Sequence, residues 1–292
     1  MRKAFLITTV LMVLHTSLLH AQINIIDSSS EKPDTGTPGY HAYKIKKAVD
    51  IPLTIATAAW AIYASSQIVY KRDSVPVSEI EGLSRNNINK IDRWVSYNYS
   101  TKAAKASDYF FVGSMPLPMI LFFDKKIRKD AGRVTLLYLE AAGITGSIYV
   151  TSSMLANRFR PYSYNENVDI SKRTRGGARN SFFAGHVAIV SNSVFFTAQT
   201  YAFYHPEMRH KWVLYAGAGL ITATTGYLRI KAGQHFLTDV LTGAAVGTLS
   251  GLLVPYFHRN THKIDPKISI SPRFDGQSTG FTVRYKLGKK EI

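Results

Sequence analysis

His235 and Asp239 stand four residues apart, and Arg229 lies six residues before the histidine. On a helix that opens near position 235 the two share a face, so the carboxylate can hold one imidazole nitrogen and leave the other as a nucleophile. Arg229 brings a planar fork of donors that suits the equatorial oxygens of a phosphoryl group. Alone, a His and an Asp at this spacing are more often an ordinary polar pair at a helix end. Their company changes that reading. Gly185 precedes His186, so backbone can approach a ligand there, and a helix starting at this point aims free amides at an anion. His186 then stands where it can protonate a leaving oxygen, the plainer alternative being a histidine that only caps the helix. In Arg158-Phe159-Arg160-Pro161, Arg160 is a second candidate fork for phosphate, or else an interfacial arginine closing a helix.

These residues sit at the ends of apolar stretches, which sets the class of element that positions them. Six windows are nearly free of charge: 51–70, 108–123, 134–156, 185–203, 212–228 and 238–257. Each approaches the length needed to cross about 30 Å of hydrocarbon as a helix. The expectation is an all-α, polytopic membrane bundle of about six helices, gathering the Arg and His residues at one membrane face. Gly243, Gly247 and Gly251 lie along one face of the last helix and permit close packing, unless they are merely tolerated there. Beyond Pro255 the chain turns polar, and period-two alternation over 267–273 and 281–287, around Asp275-Gly276, predicts a short β-hairpin.

The net charge of +17 is compatible with nucleic acid or with anionic lipid. Its location favours lipid, since the basic residues cluster in short loops such as Asp124–Lys129, and no basic helix or aromatic-studded strand suggests a nucleic-acid module. Cysteine is absent, which excludes disulfide and thiol chemistry. Met1-Arg2-Lys3 followed by an apolar run to Leu19 reads as a signal peptide or anchor over residues 1–21, with a polar linker over 22–50, the membrane helical domain over 51–258 and a polar tail over 259–292. The basic loop 124–133 predicts a cytoplasmic side there, so the segment 157–183 faces the periplasm of a bacterial inner membrane. If the signal exports the N-terminus and 51–70 also crosses, the parity fails. One of those two stretches is therefore expected not to span.

The order Arg-Pro, then Gly-His, then Arg, five residues, His, three residues, Asp resembles the signature of the type 2 phosphatidic acid phosphatase family. That pattern is Lys, six residues, Arg-Pro; Pro-Ser-Gly-His; and Ser-Arg, five residues, His, three residues, Asp. Arg160-Pro161, Gly185-His186 and Arg229, His235, Asp239 match it, within residues 134–257. The resemblance implies that His235 attacks phosphorus and Asp239 orients it. It further implies that His186 protonates the leaving alcohol and later activates water, while Arg160 and Arg229 hold the phosphate. It implies no metal and no cofactor, and no other cluster of His and carboxylates stands out along the sequence.

The family's Lys falls at Ser153, and its two serines fall at Ala184 and Leu228. Each lost donor would cost on the order of 1 to 3 kcal/mol if nothing replaced it. Replacements are available in Arg158 and in Lys172, Arg173, Arg175 and Arg179. An active lipid phosphatase is the favoured reading, on lipid A first, then undecaprenyl pyrophosphate or phosphatidylglycerol phosphate. The alternatives are a soluble-type acid phosphatase or vanadium haloperoxidase on the same architecture, and an inactive membrane relative. Uniformly apolar rather than amphipathic helices argue against the soluble class.

Overall fold

In a computed structural model the described residues are 42–70, 74–260, 268–274 and 279–285. The expected signal segment and most of the linker lie outside them. Six long helices occur among the described residues: α1 (Lys47–Tyr70), α2 (Thr101–Ser114), α3 (Ala131–Ala156), α4 (Gly185–Tyr204), α5 (Trp212–Lys231) and α6 (Leu237–Phe257). Each of the six apolar windows corresponds to one of them. The second window is not one continuous α-helix, because Pro116 and Pro118 lack the amide that would continue α2, and the chain passes into a 3-10 turn, Leu117–Phe123. Local chemistry sets several boundaries. The Ser100 hydroxyl accepts from the Ala103 amide at the start of α2, and Asn157, in the left-handed region at φ 44°, ends α3.

The helices alternate in direction along the chain. Ser147 donates to Thr57 O, and the Trp60 indole donates to Thr151, so α1 runs parallel to α3. Tyr204 at the end of α4 donates to Asp130 just before α3, so those two are antiparallel. Helices α4 and α6 start at the same end and lie side by side. A Cβ on Gly243, Gly247 or Gly251 would strike the Ala184, Ala188 or Asn192 carbonyl respectively, so the three glycines are what bring the two backbones together. The starts of α2, α4 and α6 and the ends of α3 and α5 thus share one end of the bundle. Lys44 N–H donates to His258 O at the other end, where α1 begins and α6 finishes.

Four candidate spans are long and apolar enough to cross a membrane: Lys47–Ile68, Thr101–Phe123, Ala131–Tyr164 and Leu237–Phe257. Helices α4 and α5 fall short by composition. For α4 the reason is its central place. Ser191, Asn192, Ser193, Gln199 and Thr200 are buried against protein rather than lipid, where they can be polar; Ser193, for one, hydrogen-bonds to Tyr138 at 2.9 Å. The chain is a polytopic membrane protein.

Residues 259–292 form a second compact unit. In it β1 (Ile268–Phe274) and β2 (Thr279–Tyr285) pair antiparallel, with Ile268 opposite Tyr285 and Phe274 opposite Thr279. These are the two strands expected of the tail, displaced by one and two residues; Asp275 and Gly276 lie outside the described residues.

Candidate active site

The site is assembled where α4 and α6 begin and α3 and α5 end. Helix α6 opens after Phe236, whose amide donates to Asp239 Oδ2 at 2.9 Å, a side-chain cap that fixes the aspartate in the first turn. His235 lies just before this turn and is 1% exposed. Its Nδ1 is 2.7 Å from the Ser181 carbonyl oxygen, which can only accept, so Nδ1 carries the proton and Nε2 holds the lone pair. The expected direct hydrogen bond between His235 and Asp239 is replaced by a relay. Ser181 Oγ donates to Asp239 Oδ2 at 2.6 Å while its carbonyl receives the imidazole. A carboxylate in the first turn of a helix points back at the cap, so a backbone carbonyl takes the place at the ring.

Arg160 reaches Nε2. Its Nη1 is 3.4 Å from that atom, and it is held in place by donating to Gln234 Oε1 at 2.6 Å and, through Nε, to Gly177 O at 3.0 Å. Arg229, 5% exposed near the end of α5, donates to Ser107 Oγ at 3.1 Å and Asp108 Oδ1 at 3.3 Å. The same Asp108 oxygen lies 3.0 Å from His186 Nε2, and the His186 ring stacks on Phe111 at 4.3 Å between centroids. Ala184 N–H donates to Asp239 O at 3.0 Å and Gln234 N–H to Arg229 O at 3.1 Å, so the segments that carry Arg160, His186, Arg229 and His235 meet at one place. Burial, then the fields of Arg160 and Arg229, push the His235 imidazole well below its ordinary range and keep it neutral.

Two expected phosphate contacts are placed otherwise. Arg158 lies between carboxylates, donating to Asp92 Oδ2 at 2.7 Å and to Asp239 Oδ1, with its guanidinium over the Phe236 ring. It braces the aspartate and does not replace the missing lysine. Gly185 makes room for protein, since an added Cβ would lie 2.6 Å from the Tyr149 ring. Arg173 donates to Ser163 O at 2.9 Å and Arg179 pairs with Glu79, so these two basic-loop residues also have structural partners.

Three residues were missed in the sequence. Asp92 is buried and accepts from Thr238 N–H at 3.0 Å, tying the segment before α2 to the first turn of α6. Burial raises its carboxyl, but hydrogen bonds from Thr238, Arg158 and Asn89 outweigh that and leave it below the usual range. No fixed spacing links Asp92 or Ser181 to the motifs. Asp108 did carry a signal, being a lone carboxylate inside an apolar window, which by default marks a functional position. Gly233, at φ +67°, is another requirement, because a side chain there would run into Asn98 O.

An imidazole with a free lone pair, two arginines and a second histidine paired with a carboxylate have the donors and the nucleophile that a phosphoryl group would require. Residues 134–263 match the family model of the PAP2 superfamily. It is similar to the lipid A 4'-phosphatase of Porphyromonas gingivalis, 28% identical over 142 residues, which cover 47% of this chain and 56% of that protein. The chain therefore spans little more than half the length of that relative. Two solved structures are also similar. The first transmembrane PAP2-type phosphatidylglycerolphosphate phosphatase from Bacillus subtilis is 21% identical, with 71% of this chain and 94% of that one covered and a TM-score of 0.41. LpxE of Aquifex aeolicus is 24% identical, with 56% and 90% covered and a TM-score of 0.37.

Proposed function

We propose that the protein is a lipid-phosphate phosphatase working through a phosphohistidine at His235, with lipid A as the favoured substrate and the site on the periplasmic face. The single observation that carries this reading is the His235 Nε2 lone pair, its proton held on the opposite nitrogen, lying 3.4 Å from Arg160 where the segments that carry His186 and Arg229 also meet. In the first step Nε2 attacks phosphorus and the bond to the lipid oxygen breaks, with His186 giving that oxygen a proton. In the second, His186 takes a proton from water, which attacks the phosphohistidine and releases phosphate. Arg160 and Arg229 hold the equatorial oxygens in both steps. Four helices apolar enough to span a membrane support a lipid substrate over the soluble acid phosphatase or haloperoxidase. The named activity of the Porphyromonas gingivalis relative supports lipid A among the lipids.

The test is phosphate release by purified protein from lipid A, undecaprenyl pyrophosphate and phosphatidylglycerol phosphate, with rapid-quench trapping of acid-labile, base-stable phosphoprotein. His235→Ala should abolish both turnover and trapping. His186→Ala should slow formation and breakdown, and a substrate with a good leaving group should restore formation alone. Undiminished trapping in His235→Ala would identify another nucleophile.

A further inference from the structure

At the end of the bundle opposite the phosphate pocket, three helices contribute one ionisable side chain each to a single point. Asp50 comes from the first turn of α1, Glu140 from α3, and His258 follows α6. One ligand atom from each lies within 4.8 Å of the other two. Asp50 and Glu140 are each 3% exposed. Glu140 Oε2 is buried and has no hydrogen-bond partner, an arrangement that proteins rarely leave standing.

The surroundings prepare these atoms as donors. His258 Nδ1 lies 2.8 Å from Val254 O, which can only accept, so the ring proton sits there and Nε2 presents its lone pair to the carboxylates. Asp50 Oδ2 accepts the Lys46 amide at 2.6 Å, which leaves Oδ1 facing the imidazole. His258 Nε2 is 3.3 Å from Asp50 Oδ1 and 4.0 Å from Glu140 Oε2. Two ligands about 2.0 to 2.1 Å from one tetrahedral ion stand roughly 3.3 Å apart, so a shared cation fits the first separation and needs only a small inward movement for the second. A proton on Nε2 would do less. It would make one long hydrogen bond to Asp50 and leave Glu140 Oε2 unbonded, since 4.0 Å is too far.

We propose that Asp50, Glu140 and His258 bind one divalent transition cation, with Zn2+ the best match to one imidazole and two carboxylates. The ion clamps the start of α1 and the end of α6 to α3. It takes no part in the phosphate chemistry, whose residues lie at the other end of the bundle.

The test uses full-length protein on a histidine-free affinity tag, stripped with chelator, equilibrated with Zn2+ and passed through a desalting column. One zinc per chain is expected, together with a higher Tm in the metal-loaded protein. Glu140→Gln should weaken binding by about tenfold or more, and His235→Ala should keep the metal. Co2+ titrated into the wild-type protein supplies a readout that does not depend on a variant folding, because four-coordinate N/O ligation gives intense visible bands. Wild-type protein without stoichiometric zinc and without those bands would overturn the proposal, as would undiminished binding in Glu140→Gln. Either result leaves the reading of His235 untouched, since phosphoenzyme trapping is scored separately.

Discussion

Asp239 acts on His235 through Ser181 rather than by touching it, and that changes what its replacement should do. Asp239→Asn removes the charge that Arg158 and Ser181 Oγ are bound to, while keeping the shape. The His235 tautomer is set by the Ser181 carbonyl and should survive. The expected loss is therefore smaller than the factor of about 10⁴ seen when a carboxylate holds a nucleophile-activating histidine directly. Ser181→Ala keeps that carbonyl, frees Asp239 Oδ2 of one donor, and should reproduce part of the same loss. Steady-state kcat for the two variants checks this, and an Asp239→Asn loss at the full triad value would argue for direct contact. The buried neutral His235 also gives a pH signature. Its imidazole is pushed below the ordinary 6.5, so the unfolded chain takes up the proton first as pH falls. The stability is whole above pH 6.5 and is lost below it, by about 1.4 kcal/mol per pH unit, until the folded-state value is reached. Melting from pH 7.5 down to 5 should show a steeper fall in Tm for the wild type than for His235→Asn.

At the scale of elements, the pocket depends on how closely α4 and α6 approach, because one helix presents His186 and the other follows His235. Their spacing is set by Gly243, Gly247 and Gly251. Gly247→Leu, meeting Ala188 O and the Ser191 hydroxyl, should separate the helices and destabilise the fold by several kcal/mol, in the upper range for overpacking. Gly217→Ala, where an added Cβ meets nothing within 4 Å, is the matched control and should be close to neutral. A thermal melt in detergent distinguishes them. The starts of α2, α4 and α6 also bring three positive helix ends to the phosphate end, which favours an anion there.

For the whole molecule, alternation of six helices places residues 42–47, the loop 124–130 and His258 at one end, and the phosphate pocket at the other. The helix over 47–70 packs along α3 for its length. Of the two stretches in question, 51–70 forms one of the six helices and the N-terminal one lies outside the described residues. The chain has no cysteine, so single cysteines report directly on topology. Lys126→Cys should be labelled only from the cytoplasmic side and Arg175→Cys only from the periplasmic side. Labelling of both from one side would refute the arrangement.

The sequence by itself determined the class of the chain and named the candidates for its chemistry. Apolar length dictates membrane helices, and the motif spacing places Arg160, His186, Arg229 and His235 at helix ends, because these depend on residues near one another in the chain. What the tertiary structure decided is which atoms meet across long separations. Arg158 was diverted to Asp92 and Asp239, Ser181 was interposed between histidine and aspartate, and Asp108 was brought to His186 and Arg229. Asp50, Glu140 and His258, separated by 90 and 118 positions, were gathered by the parallel run of α1 and α3 and the return of α6. Periodicity fixes which face of a helix a residue occupies, but it carries no information on which neighbour that face will meet. That depends on the depth and direction of packing, and here on three glycines that allow one backbone to lie against another.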